Sequence, residues 1–164
     1  MKTLALTADR LRQVLHYDPD TGLFTRLFGK GRGKPTRGTL HHTGYLFIGV
    51  DGVTHLAHRL AWLYVTGEHP PEDVEHRDLD KANNRFANLR ECNDSTNQAN
   101  TKPRPGNTSG YKGVCWNKKS NKWQAGIKKD GKSHHLGLFD CPVAAHLAYA
   151  TAADRIHGEY ARAA

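Results

Sequence analysis

A chain of 164 residues that is 37 % hydrophobic, with one Met and five Phe, has room for one domain or two small ones but not for a single large core. Its net charge of +8 is unevenly placed: residues 1–101 carry a balance of +1 and residues 102–164 one of +7, the pattern of a polyanion-binding module joined to a nearly neutral one. Three scattered cysteines without a C-x-x-C pair exclude a four-cysteine zinc site and a disulfide framework, and read as small buried hydrophobes.

In chain order, Thr7–His16 has the pattern of a helix capped by Thr7, with Leu11, Val14 and Leu15 towards one side. Tyr17-Asp-Pro-Asp-Thr-Gly22 has the composition of a turn and leads into a strand, Leu23–Arg26. Residues 29–35 form a glycine-rich basic loop with Lys30, Arg32 and Lys34. Such a loop suits tracking along phosphates, and equally suits an exposed hairpin tip. Gly44–Val50 and Val53–Leu56 predict a hairpin around Asp51-Gly52, and Ala57–Val65 an apolar helix.

Residues 74–97 hold the densest chemistry. A carboxylate, Glu75, directly precedes His76; Asn88 follows in the same stretch, and Asn97 after it. Val74–Arg77 and Asn88–Cys92 read as two strands around the polar loop Asp78–Asn84. Asn93 or Asp94 then caps a short helix, Ser95–Thr101. An imidazole near neutral pKa can act as a general base, and hard oxygen donors suit Mg²⁺ or Mn²⁺. Asp78 and Asp80 could add to the donors, or serve the turn through local backbone bonds.

Glu75, His76, Asn88 and Asn97 at this spacing resemble the HNH nuclease motif, in the variant that ends in Asn. The resemblance implies a ββα-metal fold and assigns the roles: His76 as base, Asn88 as its brace, Glu75 and Asn97 as metal ligands. Relatives carry Asp or Asn at the place of Glu75, so this chain departs from them by a longer side chain. The sequence His58-Arg-Leu-Ala-Trp62 is similar to a stretch often found upstream of the motif, with His58 as a structural residue or a substrate contact. The turn and strand Tyr17–Arg26 also resemble bacteriophage-type HNH proteins.

Lys102–Ser109, with two prolines and a glycine, predicts a semi-rigid linker. Beyond it, Tyr111–Trp116, Lys122–Lys128 and Ser133–Leu138 predict three antiparallel strands. A helix capped by Asp140 or Cys141, with Pro142 at its first position, then runs to about His157. Residues 110–161, through Tyr-Lys-Gly-Val, Lys-Trp-Gln-Ala-Gly-Ile and His-Leu-Gly-Leu-Phe-Asp, resemble the ethylene-response-factor (Apetala-type) DNA-binding domain. Alternation sends Trp123, Ala125 and Ile127 towards the helix and Gln124, Gly126 and Lys128 to the other face. The resemblance adds Lys112, Asn117, Lys119, Ser133 and His135 as DNA contacts. Cys115 and Ser133 stand where the plant domains have arginines, so their GC-rich preference does not carry over.

The expectation is an α+β protein: an N-terminal helix and hairpin region (1–56), an HNH ββα-metal module (57–101), a linker (102–109) and a three-stranded DNA-binding domain (110–164). It would be a monomeric, metal-dependent endonuclease, homing or nicking, acting on double-stranded DNA and leaving 5′-phosphate and 3′-hydroxyl ends. The competing class is a non-catalytic DNA-binding regulator on a decayed nuclease fold; an RNA-processing nuclease is a third. With no signal peptide or membrane-length apolar run, a soluble protein in the cytoplasm of a bacterial or phage-infected cell is expected, with no membrane partner.

Overall fold

A computed structural model describes residues 5–161, and the chain divides into two compact units, Met1–Glu91 and Cys92–Ala164. In the first, α1 (Ala8–Val14) starts where the Thr7 hydroxyl accepts the Arg10 N–H at 3.2 Å. It ends short of the expected His16, because Leu15 is already extended and opens β1 (Leu15–Asp18). Tyr17, expected in a turn, is therefore a strand residue. β1 pairs antiparallel with β2 (Leu23–Arg26), which sets Tyr17 opposite Phe24, and β2 pairs with the short β3 (Pro35–Thr36).

A second sheet has the order β4 (Thr39–Leu40), β5 (Leu46–Val50), β6 (Val53–Leu56). Its hairpin turns at Asp51 and Gly52 with φ of 48° and 81°, the two left-handed residues that a tight hairpin loop requires. Alternation buries Leu46, Ile48 and Val50. α2 (Ala57–Thr66) follows at once and stops at Gly67, a left-handed cap. Leu60 and Leu63 of α2 close over Leu11, Leu15, Tyr17, Phe24 and Ile48, a single core. Val74 and Leu89 join that core from β7 (Asp73–His76) and β8 (Leu89–Cys92), which form a two-stranded sheet. Asn88, expected at the start of the returning strand, ends a 3-10 turn, Phe86–Asn88, just before it.

The second unit opens with α3 (Asp94–Ala99), capped by Asn93 in a reciprocal bond pattern with Thr96. β9 (Val114–Asn117), β10 (Lys122–Lys129) and β11 (Lys132–Phe139) form an antiparallel sheet with β10 central. α4 (Pro142–His157) lies across it. Small residues on the helix allow close approach: Ala145 packs with Val114 and Ala125, and Tyr149 and Ala153 pack with Ile127. Trp123, Ala125 and Ile127 face α4, as alternation requires. One correction concerns the cysteines. Only Cys92 is buried; Cys115 and Cys141 are exposed, and the Cys141 sulfur caps α4 by accepting the Ala144 N–H at 3.4 Å.

Gly113 sits under α4 at φ 73°, where a Cβ would overlap the Tyr149 ring. The Gly113→Ala variant is expected to lose about 1–3 kcal/mol to overpacking, with left-handed strain in addition. Urea unfolding checks this; unchanged stability would mean that Tyr149 swings aside freely.

Candidate active site

Consecutive strand residues project to opposite faces, so β7 separates its two chemical groups. Glu75 points to β8, where its Oε1 accepts the Arg90 Nε–H at 2.6 Å. Both side chains are buried, at 6 % and 7 % exposure. A buried carboxylate needs such a cation, because desolvation penalises an uncompensated charge by several kcal/mol. The other oxygen, Oε2, is buried with no partner.

His76 projects to the opposite side and is 5 % exposed. Its Nε2 lies 3.0 Å from Oδ1 of Asn84. The His58 ring stands edge-on to it at 5.1 Å, and the Tyr45 ring lies 6.1 Å away. Burial lowers the His76 pKa, against the Asn84 bond and the charges of Asp78 and Asp80, which work to raise it. The imidazole is therefore neutral at pH 7, the state a base requires. His58 is more strongly affected: burial, with His76 and Arg59 nearby, lowers its pKa to about 3.

Asn88 does not brace the imidazole. Its Nδ2 donates to Asp78 Oδ1 at 2.9 Å and to the Asn83 carbonyl at 2.8 Å, while its Oδ1 accepts the Asp78 N–H at 3.1 Å. Its backbone carbonyl accepts the Arg77 N–H at 2.9 Å. Asn88 thus staples the two ends of the loop that joins β7 to β8. Asp78 also accepts from Asn83 Nδ2 and the Asp80 N–H, and Asp80 accepts the Ala82 N–H. Burial works to raise the Asp78 pKa, but the amide donors Asn83 and Asn88 outweigh it and the carboxyl titrates low. Both aspartates serve the turn.

Asn97 lies on α3 in the second unit, exposed, and its side-chain amide makes no bond among the described residues. Among those residues no group of three or more His, Cys, Asp or Glu could hold a metal ion. The donors that remain are amide oxygens and the orphaned Oε2 of Glu75. A hard anionic oxygen without a partner fits a divalent cation.

A family model described as "HNH endonuclease" matches residues 55–99. "Protein 3.8" of Escherichia phage T7 is 32 % identical over 89 residues, which cover 54 % of this chain and 73 % of that protein. The chain belongs to the HNH endonuclease family. No solved structure matches it. The matched segment runs from β6 to the end of α3 and so spans Glu75, His76, Asn88 and Asn97, the residues expected to form the motif.

The residues expected to meet DNA lie on both units. Lys30, Arg32 and Lys34 are exposed on the loop between β2 and β3. In the second unit Lys119, Lys128, Ser133 and His135 are exposed, and Asn117 donates to Gln124 Oε1 at 2.8 Å across β9 and β10. Lys112 is placed differently: its ammonium donates to the carbonyls of Gln98, Ala99 and Thr101 at the C-terminal end of α3. An open groove of about 850 Å³ runs between the 101–108 segment and the face that carries Gln124, Lys128, Ser133 and His135.

Sequence reasoning missed Asn84 and Arg90. Arg90 had a legible signal, a charged residue inside the returning strand paired with the one holding Glu75. The doublet Asn83-Asn84 reads as turn composition, and nothing in it separates the staple from the ring partner.

Two outcomes follow from the charges in this HNH site. Arg90→Met leaves the Glu75 carboxylate buried without a cation and should cost about 3–5 kcal/mol in urea unfolding; a loss below about 1 kcal/mol would show that the carboxyl simply takes a proton or reaches water. For His58, the unfolded imidazole titrates at about 6.5 and the folded one at about 3. Below pH 6.5 the unfolded chain therefore gains a proton that the folded one refuses. Stability is full above that pH and falls by up to about 1.4 kcal/mol per unit as pH drops towards 3. His58→Phe should flatten this slope, as read by melting temperature against pH.

Proposed function

We propose that this HNH protein is a metal-dependent DNA endonuclease in which His76 is the general base. The observation that carries this is the buried, neutral imidazole, fixed through Nε2 by Asn84, on the strand whose preceding residue is a carboxylate with one oxygen unpartnered. In the Nε2–H tautomer the lone pair lies on Nδ1, the nitrogen that would deprotonate water for in-line attack on phosphorus. The 3′ oxygen leaves, so products carry a 5′ phosphate and a 3′ hydroxyl.

The resemblance to the HNH motif names Glu75 and Asn97 as oxygen donors to Mg²⁺ or Mn²⁺, and the unpartnered Oε2 of Glu75 supports its part. The bound ion would neutralise charge on the phosphate and the leaving oxygen. Arg90 occupies only one Glu75 oxygen, and Asn88 keeps the β7–β8 loop closed around the base.

Double-stranded DNA is the substrate that the charge distribution favours. The +7 balance beyond residue 101, and the exposed Lys119, Lys128 and His135 on the sheet of the second unit, support phosphate neutralisation there. The three-stranded sheet with one helix is the arrangement of an ethylene-response-factor-like domain and supports assigning site targeting to residues 110–164. Among the described residues no helix is long and apolar enough to cross a membrane.

A plasmid-nicking assay tests the whole. Wild-type protein should nick with Mg²⁺ or Mn²⁺ and stop with EDTA. His76→Ala should lose at least about 100-fold in rate while gel-shift affinity for duplex DNA stays within twofold. Binding without any metal-dependent nicking would instead favour a DNA-binding regulator on a nuclease fold.

A further inference from the structure

We propose that Asn84 is the positioning residue for His76, and that residues 17–22, the end of β1 and the turn to β2, hold Asn84 in place. This rests on the nuclease assignment above. Asn84 is 2 % exposed, and its Oδ1 is an acceptor 3.0 Å from His76 Nε2. An acceptor there requires the hydrogen on Nε2, which fixes the tautomer and leaves the basic lone pair on Nδ1.

What makes this more than a local bond is how the Asn84 backbone is gripped. The Tyr17 hydroxyl donates to the Asn84 carbonyl at 2.6 Å, a bond buried in the core. The Phe86 N–H donates to the Pro19 carbonyl at 2.9 Å. Gly22 lies flat on the same peptide: a Cβ built there would come within 2.7 Å of both Asn84 C and Arg85 N. Its φ of 72° also favours glycine. Tyr17, Pro19 and Gly22 thus all meet the backbone of residues 84–86.

The segment is itself rigid. Asp18 accepts from the Asp20 and Thr21 N–H groups and from the Thr21 hydroxyl, and the Gly22 N–H closes the turn on the Asp18 carbonyl. The Tyr17 ring lies tilted against Phe24, 4.7 Å between centroids, and is 1 % exposed. Burial pushes its phenol well above the ordinary range, so it stays a donor. Two amides therefore divide the work around His76. Asn88 closes the loop on itself, and Asn84 carries the position of the N-terminal hairpin to the ring. A base displaced by a fraction of an ångström loses rate while the metal donors and DNA contacts are untouched.

The test combines imidazole ¹⁵N and ¹³C NMR of the full chain with single-turnover nicking. In wild type His76 should show the Nε2–H tautomer. Asn84→Leu, close in size but without an acceptor, should give mixed tautomers and lower the nicking rate on the order of 10–100-fold, with duplex affinity within twofold. Asn84→Asp, which keeps an acceptor in place, should retain the Nε2–H signature and exceed the Leu variant in rate. Tyr17→Phe should weaken the signature with the core intact, and Gly22→Ala more so; if Gly22→Ala does not fold, Tyr17→Phe carries the test. An Nδ1–H tautomer in wild type overturns the proposal, as does an unchanged Nε2–H signature in Asn84→Leu. If wild type never nicks, the nuclease assignment fails while the tautomer comparison still decides the role of Asn84.

Discussion

The alternation of side chains along a single short strand governs this molecule. Because Glu75 and His76 are neighbours on β7, they cannot share a face, and each needs its own buried support. The carboxylate finds Arg90 on β8, and the imidazole finds Asn84 in the β7–β8 loop. That sets a demand on everything around them. One side must offer a cation inside the fold, the other an uncharged acceptor that leaves the ring basic. The first unit supplies both through elements far apart in sequence: a strand partner, a stapled loop and an N-terminal hairpin.

The elements themselves were largely legible. Asp51-Gly52 between apolar runs specifies its hairpin because few residues accept two successive positive φ values. Alternation in Lys122–Lys129 correctly sorted Trp123, Ala125 and Ile127 towards α4. Boundaries were harder where polar composition competes with tertiary burial. Tyr17-Asp-Pro-Asp reads as a turn, yet Tyr17 is drawn into β1 because its ring fills the core beside Phe24. Cys141 reads both as a helix cap before Pro142 and as a small buried hydrophobe; it is the cap, and that place at the helix start keeps it exposed.

For the site, residue types and spacing pointed to the right stretch of chain but not to the wiring inside it. Asn83, Asn84 and Asn88 are chemically identical amides, and a one-dimensional reading assigns the brace to Asn88. The difference lies in the loop path. Asp78 accepts from both Asn83 and Asn88, which ties them into the turn and leaves Asn84 facing the ring. Glu75 likewise reads as an open ligand, and its buried partner emerges only when β8 is laid beside β7.

The lysine seated on the end of α3 carries a temporal consequence. A six-residue helix is too short to persist in water on its own, since nucleation outweighs the few bonds it closes. α3 is held by the Lys112 ammonium on its last carbonyls and by packing with α4. Both supports lie downstream of it, so a ribosome makes the Asn97 segment well before it makes what keeps that segment helical. While the chain is being made, the oxygen donor on α3 has no fixed address. Its order arrives only once α4 has been made.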